Sequence, residues 1–214
     1  PRSWGWTQYE MFFAGGRWMD ALIFSAVVAG CAALIATVAG VAGVLAFNRT
    51  GLPGRSALQA LGIAPLLLPG IAYAVALYSL FAPIGLLTHP AGLVLAHATL
   101  VLPFAMLIVG AAITRIPPAL ELAAQSLGAS LFQAWTGITI RLLAPAIGAA
   151  LIFTFATSFD EVVIASFLGF TTLPIAIFSS VRFGVDPVIT AIATLLTLAT
   201  AILMGLRMIM GRQR

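Results

Sequence analysis

Asp160 and Glu161 are the residues of this chain best suited to act on a charged ligand. They are adjacent carboxylates set between two uncharged stretches, Leu142 to Phe159 and Val162 to Val181. A carboxylate in apolar surroundings attracts cations, and on a solute's route it would serve as a binding or gating site. The alternative is a structural role, paired with Arg182, with a backbone donor or with another subunit. Neighbours on a helix point about 100° apart, so the two acids do not line one path together. Pro69-Gly70 is the second candidate: a proline inside an apolar run removes a backbone hydrogen bond, giving either a plain kink or a break that lines a cavity. His89, His97 and Cys31 are scattered and do not form a metal-ligand set. The sequence holds no Walker loop and no nucleophile–base pair.

What must position these residues is a set of membrane helices. Of 214 residues, 62% are hydrophobic and only 7% charged, against about 25% charged in a soluble domain. The surface therefore faces lipid. A bilayer core about 30 Å thick needs roughly 20 apolar residues. Uncharged runs of that order cover Ala21 to Asn48, Leu142 to Phe159, Val162 to Val181 and Pro187 to Leu206. The longer run from Ser56 to Thr114 holds two spans, divided at Pro83, Gly85 and His89-Pro90. The pattern predicts five helices, at roughly 21–47, 59–82, 91–114, 142–168 and 188–209. Ala36/Gly40 and Ala39/Gly43 put small residues four apart on the first of them, which suits close packing within the chain or against another helix.

All ten basic residues are arginines. Arg49, Arg55, Arg115, Arg141, Arg207, Arg212 and Arg214 fall on one side of these spans, and Arg2, Arg17 and Arg182 on the other. The positive-inside rule makes the first side cytoplasmic, with the C-terminus there. The net charge of +4 then reflects topology, and the charges are too scattered for a nucleic-acid surface. The same orientation puts residues 1–20 outside. It predicts a further helix ahead of Pro1, and places Trp4, Trp6, Tyr9 and Trp18 at the membrane interface.

The stretch Arg115 to Arg141 is the longest loop on the arginine-rich side. Pro117-Pro118 ends the third span; ALELAAQSLGASLFQAWTGI then reads as a short helix, a turn at Gly128 and a second helix leading into the fourth span. Such a rigid protrusion can pass motion from a partner to the spans. Here the chain resembles a known family. Ala123-Ala124-x-x-Leu127-Gly128-Ala129-Ser130, with nine residues between the glycine and Ile138, is similar to the EAA loop of ABC importer permeases. SFDEVVIASFLG (Ser158 to Gly169), TLPIAIFSSVRFGVDP (Thr172 to Pro187) and ITAIATLL (Ile189 to Leu196) resemble the second permease of spermidine/putrescine-type importers.

The resemblance implies an all-α membrane protein with the type I ABC importer fold, five spans in view of an expected six. Its transmembrane domain would occupy 21–214 behind an extracytoplasmic segment 1–20. It implies a translocation pathway for a small solute, formed with a second permease subunit. Two ATP-binding subunits would dock on the loop at 115–141, and ATP and Mg would bind there, not in this chain. An extracytoplasmic solute-binding protein would meet residues 1–20 and Phe170 to Asp186. In the family, coupling falls on Glu121, Ala123, Ala124, Leu127, Gly128, Ala129 and Ser130. Three departures stand out. The family glutamate falls on Leu122, with Glu121 displaced by one residue and so turned by about 100°. The proline of the family's Ile-x-Leu-Pro ending is Arg141. Gly70 stands where polyamine members often carry an acid. The cargo expected is a polyamine or another small organic solute, such as an amino-acid derivative or organophosphonate. A secondary transporter would need paired repeats and coupling-ion residues, which the sequence lacks, and a membrane scaffold would not need the loop.

Overall fold

The computed structural model describes residues 5–184 and 186–211, with side chains as far as Ile202. Arg2, Trp4, Arg212, Arg214 and the side chain of Arg207 lie outside that description. Every element among the described residues is helical: α1 (Thr7–Phe13), α2 (Arg17–Arg49), α3 (Arg55–Ile63) with a 3₁₀ turn (Ala64–Leu67), α4 (Gly70–Phe81), α5 (Pro90–Ile113), α6 (Ala119–Ser126), α7 (Leu131–Ala134) running through a π turn (Trp135–Thr139) into α8 (Ile140–Phe159), α9 (Val163–Phe167), α10 (Leu173–Phe183) and α11 (Val188–Gly211). Arg17–Arg49, Pro90–Ile113 and Leu131–Phe159 are long and apolar enough to cross a membrane.

Two predicted spans are broken. The helix expected at 59–82 divides into Arg55–Leu67 and Gly70–Phe81, bent by 114°. The cause is local: Leu68 precedes a proline and takes the extended conformation (φ −93°, ψ 137°), since the proline ring excludes the helical one there. Pro69-Gly70 is thus a corner, sharper than the kink expected. The helix expected at 142–168 stops at Phe159, and a second, short helix starts at Val163. The other predicted spans correspond to α2, α5 and α11.

The chain forms two compact units. One comprises Ser25–Phe170, and its core joins Val44 and Leu45 of α2, Ala105, Met106, Val109 and Ile113 of α5, and Leu143 and Ala150 of α8. The small-residue pattern of α2 acts within this core. A Cβ on Gly40 would stand 2.8 Å from that of Ala105, so only glycine permits this approach of α2 to α5. The buried hydroxyls of Thr37 and Thr154 lie 3.4 Å apart in the same packing.

The other unit combines the described parts of 1–24 and 171–214, with α1 packed on α11. Asp186 organises it. Its Oδ1 accepts from the Val188 amide at the start of α11, and its Oδ2 accepts from Trp18 Nε1 at 3.0 Å, with Arg17 Nη2 at 3.7 Å. Trp18 is buried and makes this bond, whereas Trp6 is exposed and its ring is tilted against that of Tyr9.

Candidate functional site

The loop between α5 and α8 has its shape written into its caps. Gly128 follows α6 at φ +94°, a left-handed conformation that suits glycine. Its amide donates to the Gln125 carbonyl at 2.9 Å and the Ala129 amide to the Ala124 carbonyl at 3.1 Å, the paired bonds of a Schellman ending. Ser130 then opens α7. Its hydroxyl accepts from the Gln133 amide, and the Gln133 side chain accepts from the Ser130 amide, a reciprocal capping box. These two devices fix the angle between α6 and α7. Leu122, Leu127 and Phe132 project from the turn, 62%, 90% and 73% exposed, so its outer surface is apolar.

Glu121, carried over with the coupling residues, faces the other way. It is buried and bonded on both oxygens: Oε1 accepts from Arg49 Nε at 2.8 Å and Thr139 Oγ1 at 2.6 Å, and Oε2 from Trp135 Nε1 at 3.2 Å. The π turn at Trp135–Thr139 presents Trp135 and Thr139 to the same carboxylate. Ala123, exposed, and Ala124, partly buried, lie along α6; Leu127, Gly128, Ala129 and Ser130 form the tip. In the sequence Arg49 stands out only as a marker of topology, and nothing there singles out Trp135 or Thr139. The displaced acid was the one available signal: a residue one place off the docking face must point somewhere else.

α8 runs from this junction for 20 residues, about 30 Å of helix, and ends at the acidic pair. The two acids separate there. Glu161 turns back over the start of α9, where its carboxylate accepts from the amides of Val163, Ile164 and Ala165 at 2.8–3.2 Å. It therefore satisfies the orphan donors of the new helix. His97 of α5 reaches the same corner: Nδ1 lies 2.9 Å from Ser158 Oγ and Nε2 3.5 Å from Glu161 Oε2. His97 and Ser158 are buried. Asp160, by contrast, is exposed, and its carboxylate makes no hydrogen bond or ion pair among the described residues. Arg182, weighed as a partner, lies over the Phe183 ring at 5.7 Å.

Pro69 and Gly70 are exposed at the corner between the 3₁₀ turn and α4, with no atom within 4 Å of where a Gly70 side chain would begin. Tyr73, one turn on, is buried and donates to Thr99 Oγ1 of α5 at 2.8 Å. Among the described residues no group of three or more His, Cys, Asp and Glu side chains could hold a metal ion.

The chain as a whole resembles known proteins. Residues 17–212 match the model of the binding-protein-dependent transport system inner membrane component family. The chain is 31% identical to the putrescine transport system permease protein PotI of Escherichia coli, over 94% of this chain and 75% of PotI. It is also 31% identical to the spermidine/putrescine transport system permease protein PotC of Haemophilus influenzae, over 99% of this chain and 82% of PotC. Its fold resembles a chain in the crystal structure of a bacterial ABC transporter that imports the acidic polysaccharide alginate, with a TM-score of 0.71 at 18% identity over 94% of this chain and 80% of that one. The chain is a multi-pass, all-α membrane protein and belongs to the binding-protein-dependent transport system inner membrane component family, the permease subunits of ABC importers.

Proposed function

We propose that this permease forms, with a second permease subunit, the pathway of an ATP-driven importer of small organic cations of the polyamine class. The 115–141 loop and the C-terminus lie in the cytoplasm. Two ATP-binding subunits dock on the loop, and ATP and Mg are bound and consumed there. A solute-binding protein delivers cargo on the opposite side, where 1–20 and Phe170 to Asp186 are the contact surface. The observation that carries this reading is the loop: a turn held rigid by a Schellman ending and a capping box, presenting an apolar tip of Leu122, Leu127 and Phe132. An exposed apolar tip on a rigid turn is built to seat in a partner's cleft. Asp160 supports the cation. A carboxylate in the outer part of the bilayer needs water, a cation or a partner, because leaving it in lipid costs about 2.5–3.5 kcal/mol. PotI and PotC are named for putrescine and spermidine, doubly and multiply charged amines that gain from each carboxylate they pass.

Reconstituting the permease with its ATPase and binding protein, and measuring uptake of putrescine, spermidine, an amino acid and an aminophosphonate, tests the reading. ATP-dependent uptake of the amines alone is expected. Uptake of the phosphonate but not of the amines would refute the cationic cargo, and no ATP-dependent uptake of any solute would refute the importer assignment.

A further inference from the structure

Arg49 closes α2, and Glu121 stands in the first turn of α6, 72 residues further along the chain. Their side chains are 8% and 5% exposed and meet at 2.8 Å. Arg49 Nη2 also donates to the Ile116 carbonyl at 2.6 Å, in the short link between α5 and α6. With Thr139 and Trp135 on the same carboxylate, Glu121 joins three pieces of chain: the foot of α2, the loop helix α6 and the π turn below α8. Taking an ion pair out of water is costly and is offset only by close geometry and further hydrogen bonds, which Thr139 and Trp135 supply to Glu121 and the Ile116 carbonyl to Arg49. The loop does not need the pair for its own shape, since the Gly128 ending and the Ser130 box already set that. What the pair adds is a connection. α5 and α8 adjoin the loop in the chain and receive its movement directly, whereas α2 is separated from it in sequence by α3, α4 and α5. α2 is in turn packed on α5 and α8 through Gly40 against Ala105 and through Val44 and Leu45.

We infer that Arg49 and Glu121 form a buried strut that hands movement of the 115–141 loop to the first membrane helix, making both of them positioning residues for transport. This rests on the reading of the loop as the ATPase dock. It also accounts for the displaced acid: turned inward by one position, Glu121 serves the permease, and the docking tip is left to Leu122, Leu127 and Phe132.

The test uses the assembled complex in proteoliposomes, with MgATP as the probe. Cys31 is the chain's one cysteine and lies exposed on α2, so a nitroxide there reports movement of that helix when the other subunits carry no cysteine. In the wild-type complex MgATP changes the Cys31 signal, and the binding protein stimulates hydrolysis. In Arg49→Ala the ATPase still co-purifies, the Cys31 response is lost, and stimulation by the binding protein falls roughly 2- to 30-fold, the range seen for residues along a coupling route. Arg49→Lys, which keeps a cation beside Glu121, restores most of both. Glu121→Gln keeps the shape and an acceptor for Thr139 but removes the charge; it behaves as Arg49→Ala does, and decides the matter if Arg49→Ala fails to assemble. A wild-type Cys31 response and stimulation in Glu121→Gln overturn the strut while leaving the dock standing. Failure of the wild-type permease to retain the ATPase, or retention unaffected by Leu127→Asp, overturns the dock itself.

Discussion

At the scale of single residues, two neighbours of like charge have been given different work by one helix ending. Glu161 is bonded to the amides of Val163, Ile164 and Ala165 and lies at the corner with His97, so its carboxylate is engaged within the chain. Asp160 is exposed and has no such bonds among the described residues, and in the proposed function it is the acid that meets the solute. Replacement separates them. Asp160→Asn is expected to lower amine uptake about tenfold, the loss of roughly one opposed charge, with the melting temperature unchanged. Glu161→Gln is expected to cost about 1–3 kcal/mol, as one buried acceptor set is weakened, read as a lower melting temperature in detergent at nearly normal apparent affinity. The reverse pattern would reassign the two acids. Gly70 offers a gain-of-function counterpart. It is the first residue of α4, its surroundings are open, and an acid in a first turn contributes about 0.3–1 kcal/mol to the helix. Gly70→Asp should therefore fold normally and raise amine uptake several-fold; unchanged uptake in the folded variant would show that this corner lies off the cation's route.

At the scale of elements, the sequence and the structure agree where a helix end is chemically marked and differ where it is not. The division at Pro83, Gly85 and His89-Pro90 was legible because turn formers cluster there, and His89 does cap α5 by accepting from the Ala91 amide. The helix–turn–helix of the loop was legible for the same reason: Gly128 and Ser130 announce an ending and a beginning. The break at Leu68 lies inside an unbroken apolar run, and the acidic pair at Asp160 and Glu161, though it interrupts the hydropathy, carries no turn former that marks a helix end. Pro69 suggested only a kink, and the capping by Glu161 depends on a side chain folding back over residues that follow it. Trp135 and Thr139 meet Glu121 through a π turn, a one-residue irregularity that spacing does not reveal. The loop supplies the prediction proper to this scale. A side chain at Gly128 must adopt φ +94°, at about 1–2 kcal/mol, or swing α6 away from α7. Gly128→Leu should insert and assemble, hydrolyse ATP at near the normal rate and lose most transport. Transport at the wild-type rate would show that the angle between α6 and α7 does not matter for coupling.

At the scale of the whole molecule, the α8 helix fixes the relation between the two candidate sites. Its 20 residues span about 30 Å, the thickness of a bilayer core, with the Glu121 junction at one end and Asp160 at the other. Loop and acid must then lie on opposite faces of the membrane, whichever way the chain is inserted. The proposed orientation rests on the arginines. Arg49, Arg55, Arg115 and Arg141 all flank the loop end, and an excess of arginine beside short loops is retained on the cytoplasmic side. Opposed placement is also what an importer requires, since ATP is spent on one side to move a solute arriving from the other. Single cysteines introduced at Ser126, exposed on α6, and at Trp6, exposed ahead of α1, put this to the test once Cys31 is replaced by Ser. A membrane-impermeant maleimide added to intact spheroplasts should label Trp6→Cys and spare Ser126→Cys, and inverted vesicles should give the opposite result. Labelling of Ser126→Cys from outside would reverse the orientation and place the apolar tip where no ATPase can reach it. Labelling of both from one side would mean an even number of crossings between Trp6 and Ser126, as when α2 and α5 each cross once and the bent segment Arg55–Phe81 turns back without crossing.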